Sequence, residues 1–268
     1  MTETNHSTGA GAAGLSRGAE LLRLHRDPAI LSLVNVWDVA SARVVAQTPG
    51  TRALATASHA VAALYGYPDG EQIPRDLMLD MVGRIAAAVE LPVTADLEGG
   101  YGDVADTVRR AVGLGVVGAN IEDELLPLPE AAARMASAMR AAEAEGVDFV
   151  LNARTDVFLR PDGRPADALL ADAVRRGQAF LEEGAPCVFV PGSLDEEQIG
   201  TLVSAFGPRR LSVIGFPGVP ASGRLEELGV ARISYGPSPQ WVALTALQDL
   251  VENVVAGGGP PADVRALT

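Results

Sequence analysis

Two carboxylates spaced two residues apart are the first candidates for chemistry in this sequence. Asp96 and Glu98 follow a short apolar run, residues 91–95, and precede a glycine-rich turn. Alternate residues of a strand point to the same face, so both acids are predicted to face one cavity. Buried paired acids are costly unless a cation or hydrogen bonds compensate them. The pair therefore predicts a divalent, oxygen-liganded metal site, most simply for Mg²⁺.

Polar side chains also follow the neighbouring apolar runs. They are Trp37, Ser58, His59, Asn120, Glu122, Asn152, Arg154, Ser193 and Tyr235. Acids of the third and fourth runs are thus predicted to converge with one arginine, Arg154, of the fifth. Such convergence indicates an enzyme, although Glu122 can equally be a structural partner of Arg154.

Several of these polar residues have simpler structural interpretations. Asp38 is placed to cap the helix predicted over residues 39–46. Asp123 and Asp156 are typical turn-stabilising residues, and Asp69 lies in a Pro-Asp-Gly turn sequence. His59 is either a helix-start residue or a substrate contact, and the sequence leaves both open.

The elements that must position these residues are eight apolar runs alternating with helical patterns. The predicted strands are residues 31–36, 53–57, 91–95, 116–121, 149–153, 187–190, 211–214 and 231–234. Eight such units without a break in composition predict a single (β/α)₈ barrel over residues 15–256, with tails at 1–14 and 257–268. A dinucleotide-binding open sheet is disfavoured, because no G-x-G-x-x-G follows the first run. In a barrel the strand ends carry the active site.

The intervening helices have recognisable ends. They are predicted at residues 74–89, 103–113, 129–145, 166–183, 195–206, 224–228 and 239–255. Pro74 and Pro129 suit first-turn positions, and Gly115, Gly146 and Gly184 suit C-terminal caps.

Composition limits the function classes. The chain has 268 residues, 48% of them hydrophobic, and a net charge of −13, which argues against nucleic-acid and anionic-membrane partners. A single cysteine, Cys187, excludes an internal disulfide and is expected to be an inert core thiol. With no signal peptide and no long apolar stretch, we expect a soluble cytoplasmic protein.

Six segments at the predicted strand ends resemble the isocitrate lyase/phosphoenolpyruvate mutase superfamily. They are residues 35–38, 55–58, 67–70, 95–102, 118–123 and 152–156. The resemblance implies a (β/α)₈ barrel, usually a homotetramer with the last helix exchanged between subunits; a dimer is the alternative. It implies Mg²⁺, or Mn²⁺ in its place, held by Asp96 and Glu98 with Glu122.

The resemblance also implies roles in substrate binding. Residues Ala57, Ser58 and His59 would cradle a carboxylate or phosphonate, Asp69 would assist at the metal, and Arg154 would hold the 2-oxo acid end. Further substrate contacts are expected at Trp37, Asn152 and Ser193. The implied activity is cleavage of a C–C bond in a small 2-oxo or 2-hydroxy (di)carboxylate through a metal-stabilised enolate.

The sequence departs from the family where the proton-transfer groups would be. The lyases carry a Lys-Lys-Cys-Gly-His loop after strand four, but residues 124–130 here contain no Cys, Lys or His. A histidine of the mutases is replaced by residues 191–193, and Glu98 stands for an aspartate. Candidate replacements for the acid/base are Tyr101, His59 and Glu130.

Three alternatives to a C–C lyase remain open at this stage. One is P–C bond chemistry by a mutase or hydrolase, and another is a non-catalytic barrel that binds a dicarboxylate. The last is a phosphate site formed by Gly215, Gly218 and Gly236 of the final two units.

Overall fold

The computed structural model describes residues 16–267, in which ten helices and nine strands alternate. The strands are β1 (Leu31–Leu33), β2 (Asn35–Val36), β3 (Leu54–Thr56), β4 (Val93–Asp96), β5 (Gly118–Glu122), β6 (Val150–Arg154), β7 (Cys187–Phe189), β8 (Leu211–Ile214) and β9 (Arg232–Ser234). The helices are α1 (Arg17–Arg26), α2 (Val39–Gln47), α3 (Ser58–Leu64), α4 (Arg75–Ala87), α5 (Val104–Gly113), α6 (Leu128–Ala144), α7 (Ala166–Glu182), α8 (Glu196–Phe206), α9 (Ser222–Glu227) and α10 (Ser238–Val255). The predicted tail at residues 1–14 lies outside the described residues.

All strand pairs are parallel, and the sheet order is β1-β9-β8-β7-β6-β5-β4-β3-β2. β1 pairs with β9 and β2 pairs with β3, while only Val34 separates β1 from β2 in the chain. The two short strands are therefore one interrupted barrel strand, which brings the two edges of the sheet together. The predicted eight-unit barrel is confirmed, with its first strand in two pieces.

The predicted strands and helices match the structure to within a few residues at their ends. Asp38 caps α2 by accepting a hydrogen bond from the Ser41 backbone N–H, as predicted. Gly115 has φ +92° after α5, the left-handed conformation that a glycine C-cap supplies. Sequence reasoning missed α1, which precedes the first strand, and α3, which directly follows β3.

Helix α1 closes the amino-terminal end of the barrel. Its Leu21 and Leu24 are fully buried against Leu31 and Val150. Gly118 is needed for this packing, because a Cβ there would lie 2.9 Å from Leu21 Cδ2. Access to the barrel interior is thus left to the carboxyl-terminal mouth.

Helix α10 is mostly uncovered in the single chain, and its one buried residue is Gln240. The Gln240 side chain donates a 2.9 Å hydrogen bond to the Ala60 carbonyl and so fixes the start of the helix near the mouth. Its exposed large apolar side chains are Trp241, Val242, Leu244, Leu247, Val251, Val254 and Val255. Among the described residues, no helix combines the length and apolarity needed to cross a membrane.

Candidate active site

A cavity of about 240 Å³ opens at the carboxyl-terminal ends of the strands. Its lining residues are Asn35, Ala57, Ser58, His59, Asp69, Asp96, Asn120, Arg154, Leu159, Phe189, Pro191, Ile214, Phe216, Ser234, Gly236, Pro237 and Trp241. This is the end at which barrels of this type carry their active sites.

Asp96, the last residue of β4, lies in the cavity wall with its two oxygens in different surroundings. Its Oδ2 accepts hydrogen bonds from the Ser58 backbone N–H at 3.1 Å and from the Ser58 hydroxyl at 2.8 Å. Its Oδ1 has a single long contact of 3.4 Å, from the Asn120 amide. Oδ1 is therefore the oxygen with capacity left for a ligand.

Asn120 is oriented by hydrogen bonds below the cavity. Its Oδ1 accepts from Asn152 Nδ2 at 2.8 Å and from Arg232 Nη2 at 3.4 Å, which turns its amide N–H groups towards Asp96. Arg232 is fully buried, and within residues 16–267 its Nε and Nη1 have no hydrogen-bond partner. Burial lowers the pKa of Arg232 to about 10, so the guanidinium still carries its charge at neutral pH.

Arg154, at the end of β6, is shared between two acids. Its Nη1 lies 2.7 Å from Glu122 Oε1, and its Nε lies 2.6 Å from Asp156 Oδ1. Its Cζ lies 5.9 Å from the centre of the Phe189 ring, within the range of a cation–π contact. The structural pairing of Glu122 with Arg154 that the sequence left open is present.

Glu98 belongs to a hydrogen-bonded triad with two residues of the surrounding loops. Its carboxylate accepts from the Tyr101 hydroxyl at 2.7 Å and from the Glu71 backbone N–H, while the Glu71 carboxylate accepts from the Tyr101 backbone N–H at 2.7 Å. All three residues have positive φ, between 51° and 58°. Strain at three adjoining non-glycine residues is typical of functional sites.

Burial and crowding of carboxylates shift the acidity of this side of the site. Burial raises the pKa of Glu98 to about 7, against the lowering effect of the Tyr101 and Glu71 hydrogen bonds. Burial also raises the pKa of Glu122, against the lowering effect of Arg154, and the nearby charges of Asp156, Asp96 and Glu98 raise it further. The site therefore holds more negative charge than its own residues neutralise.

This surplus of acid fits a magnesium ion, with Asp96 as the residue that would hold it. Mg²⁺ usually keeps several waters and takes only one or two protein carboxylates. Asp96 lines the cavity, and its Oδ1 has spare capacity. Direct coordination by Glu98 and Glu122 stays a prediction. Within residues 16–267 these two carboxylates bind Tyr101 and Arg154, and no group of three His, Cys, Asp or Glu is arranged to hold a metal.

A histidine–aspartate pair lies at the cavity mouth. His59 Nδ1 is 3.7 Å from Asp69 Oδ2, and both side chains are partly exposed. The His59 ring makes an edge-to-face contact with Trp241, with ring centres 5.9 Å apart. His59 is the second residue of α3, which confirms the helix-start interpretation, and it also lines the cavity. Its contact with substrate stays a prediction.

The structure brings some of the predicted site residues to the cavity and keeps others away from it. Those that line it are Ala57, Ser58, His59, Asp69, Asp96 and Arg154. Those that do not are Trp37, Glu98, Tyr101, Glu122, Asn152 and Ser193. Each is held elsewhere: Trp37 packs on the core, Asn152 supports Asn120, and the Ser193 hydroxyl contacts the Pro217 carbonyl at 3.4 Å.

Sequence reasoning did not select several residues that the structure places in or beside the site. They are Glu71, Phe189, Arg232 and Trp241. A usable signal existed for Arg232, which is a charged residue inside one of the predicted strands. Barrel interiors are usually filled by branched apolar side chains, so such polar residues are informative.

A closed parallel barrel with polar side chains gathered at its carboxyl-terminal mouth defines a class of enzymes rather than one protein. The family profile described as phosphoenolpyruvate phosphomutase matches residues 21–255. The chain therefore belongs to the phosphoenolpyruvate mutase/isocitrate lyase superfamily, whose members are lyases and mutases.

Individual relatives agree with this assignment. An uncharacterised protein of Mycobacterium tuberculosis is 30% identical over 90% of this chain and 91% of its own length. The oxaloacetate decarboxylase of Ectopseudomonas mendocina is 29% identical over 87% of this chain and 81% of its own. A crystal structure from Burkholderia cenocepacia, provisionally described as a phosphonomutase, has a TM-score of 0.83 and 44% identity, covering 88% of this chain and 98% of that one.

Proposed function

We propose that the protein is a magnesium-dependent lyase that cleaves a C–C bond of a small 2-oxo or 2-hydroxy carboxylate. The observation that carries this proposal is the grouping of Asp96, Asn120 and Arg154 on one wall of the cavity. A carboxylate with a spare oxygen, an oriented amide and a guanidinium suit a chelating 2-oxo acid. The oxaloacetate decarboxylases among the relatives are consistent with such a substrate.

Each residue of this wall would have a separate role in binding the substrate or stabilising charge. Arg154 has Nη2 free of the two acids that it pairs with, and this group would bind the substrate carboxylate. The Asn120 amide would donate to the oxygen on which negative charge develops. Magnesium bound at Asp96 would supply Lewis-acid stabilisation of that charge.

Protons would pass through His59 and Asp69. Besides Asp96 and Arg154, they are the ionisable side chains in the cavity lining of the described residues. Of the other predicted acid/base candidates, Tyr101 donates its hydroxyl to Glu98, and Glu130 lies exposed on α6 outside the cavity. The His59–Asp69 pair at the mouth can take a proton from solvent and deliver it to the cleaved product.

An Asp96→Asn variant tests the proposal. We expect oxalate with Mg²⁺ to raise the melting temperature of the wild type, and neither alone to do so. Asp96→Asn should lose this synergy, and turnover of any 2-hydroxy acid found in a product screen should fall by about 10³-fold. The control is Asp162→Asn, in an exposed turn at φ +48° that asparagine tolerates.

The outcomes of this experiment separate the hypotheses. Synergy or turnover retained in Asp96→Asn would contradict the proposal. Synergy in the wild type without product from any tested acid would favour a barrel that binds such acids without turning them over.

P–C bond chemistry is the second candidate function. It is favoured by the 44% identity to the provisionally described phosphonomutase. It is disfavoured by the sequence, which contains no lysine in 268 residues and so has none for a gating loop. Incubation with phosphonopyruvate, followed by phosphorus NMR, would show either a rearranged phosphorus signal or free phosphate if this candidate is correct.

We also propose that α10 packs against a second copy of the chain, in a dimer or tetramer. Apolar patches of this extent on a helix usually mark an interface. Leu247→Glu should weaken the assembly, as measured by light scattering at several concentrations. The control, Ala246→Glu, places the same charge about 100° around the helix from Leu247. A monomeric wild type would overturn this proposal.

A further inference from the structure

The cavity has a second wall whose chemistry differs from that of the Asp96 wall. It is formed by the ends of β7 and β8, the β6–α7 loop and the start of α10. Its residues are Leu159, Phe189, Pro191, Ile214, Phe216 and Trp241. None of them carries a charge, and we call this surface the apolar wall.

Cations are scarce around the whole cavity. Arg154 is the one arginine among the lining residues of the described chain, and two of its nitrogens already serve Glu122 and Asp156. His59 contacts Trp241 of the apolar wall, but its Nδ1 lies 3.7 Å from Asp69 Oδ2 at the mouth. Arg232 is fully buried beneath Asn120 and does not line the cavity. Arg154 is therefore the one lining cation placed to neutralise a substrate carboxylate inside the described cavity.

Negative charge surrounds the cavity instead. Asp69 and Asp96 line it, and Glu122 and Asp156 lie beside it in ion pairs with Arg154. A second anionic group on the substrate would meet these acids without a partner. It would also lose water against the apolar wall, and both effects are unfavourable.

Polar groups near the apolar wall are largely occupied by the protein itself. Asn35 donates to the Thr56 carbonyl at 2.8 Å and accepts from the Tyr235 backbone N–H at 2.8 Å. The Ser234 hydroxyl and the Trp241 indole N–H are the remaining neutral side-chain donors on that side of the lining. Such donors can bind a neutral oxygen, but they do not neutralise a carboxylate or phosphonate.

We propose that the substrate is a monocarboxylate: a 2-oxo or 2-hydroxy acid whose remaining substituent is uncharged and apolar and packs on the apolar wall. The inference rests on the proposed function, which places the carboxylate and the 2-oxygen at Asp96 and Arg154. The apolar wall is built from six side chains, so the substituent that packs on it is a hydrocarbon group.

A matched pair of ligands tests this specificity. In 4-methyl-2-oxopentanoate an isopropyl group replaces the CH₂–COO⁻ end of 2-oxoglutarate, so the two acids are similar in size and differ in charge. Their affinities are measured by calorimetry with the full-length protein and MgCl₂. We expect the branched acid to bind at least about tenfold more tightly.

The outcomes distinguish the inference from the proposed function. Equal or tighter binding of 2-oxoglutarate would overturn the inference and leave the lyase proposal standing. If neither acid binds in the presence of Mg²⁺, the proposed function fails and the inference fails with it.

A positive charge placed on the apolar wall should reduce the preference for the branched acid over 2-oxoglutarate. Phe216→Arg and Leu159→Arg each add a cation at a partly exposed wall position. In both variants the affinity for 2-oxoglutarate should come within about threefold of the affinity for the branched acid, or exceed it. Leu114→Arg is the control, because Leu114 is 41% exposed and lies outside the cavity. If both wall variants keep the wild-type preference while folded, the substituent does not lie on this wall.

Discussion

The two walls of the cavity are built from opposite kinds of residue, although both come from ends of strands in the same barrel. The wall of β4–β6 holds Asp96, Asn120 and Arg154, each fixed by hydrogen bonds or ion pairs. The wall of β7–β8 and α10 holds uncharged side chains such as Phe189, Ile214 and Trp241. The first wall is organised by directional contacts, and the second by packing.

The comparison shows that strain is concentrated on one side of the cavity. Behind the wall of β4–β6, which we call the polar wall, lie buried carboxylates with raised pKa values and three adjoining residues with positive φ. Such features cost free energy, and a cation with a bound anion would relieve part of the cost. The apolar wall is stable without a ligand, so its residues should affect affinity more than stability.

Removing the central cation of the polar wall should produce the largest effect. Arg154→Met leaves Glu122 and Asp156 buried without their partner, and we expect a loss of about 3–5 kcal/mol in the free energy of unfolding. Urea denaturation at pH 7 measures it. Adding Glu122→Gln to the variant should restore part of the loss.

Arg160→Met is the matched control for this prediction. Arg160 is exposed, and the change should stay within about 0.5 kcal/mol. If Arg154→Met lowers the free energy of unfolding by a similarly small amount, the ion pairs of Arg154 do not contribute the stability that this prediction assigns to them.

The pH dependence of stability should sharpen the comparison. With EDTA present, the raised pKa of Glu98 means that the folded protein binds this proton more tightly than the unfolded chain does. The stabilising contribution is full below about pH 4.5 and is lost as the pH rises through about 7.

Glu98→Gln isolates this contribution. Between pH 5 and pH 7, roughly, the wild type should lose stability relative to Glu98→Gln by less than ~1.4 kcal/mol per pH unit, because the folded and unfolded states differ by less than one bound proton in this range. Parallel curves for the two proteins in urea melts would show that Glu98 titrates normally.

The apolar wall should give the smallest change in stability. Leu159 is 42% exposed, so Leu159→Ala should alter the free energy of unfolding by about 0.5 kcal/mol or less. The affinity for 4-methyl-2-oxopentanoate should nevertheless fall several-fold, because the side chain lines the cavity. Leu114→Ala, with nearly the same exposure away from the cavity, should leave the affinity unchanged.

Much of the fold could be predicted because its signals are local. Apolar runs of strand length, proline at helix starts and glycine at C-caps are short-range patterns, and they identified the eight barrel strands and eight of the ten helices. The two missed helices show the limit of such patterns. Helix α1 is defined by its packing beneath the barrel, and α3 begins at Ser58, directly after β3.

The candidate site was predicted less completely than the fold. Residues at strand ends were found because all parallel strands finish at one mouth. Which of them face the cavity depends on contacts between distant segments. The Glu71 contact with Tyr101 spans 30 residues, and the Arg232 contact with Asn120 spans 112.

By itself, the sequence determined the barrel, the superfamily and the acid-rich strand ends, since these depend on residue types in order along the chain. Only the tertiary structure decided that Asp96 faces the cavity while Glu98 and Glu122 bind Tyr101 and Arg154. It also assembled the apolar wall from segments more than 80 residues apart, from Leu159 to Trp241. The physical reason is that a side chain's role is set by which neighbours compete for its hydrogen bonds and charge, and those neighbours are distant in sequence.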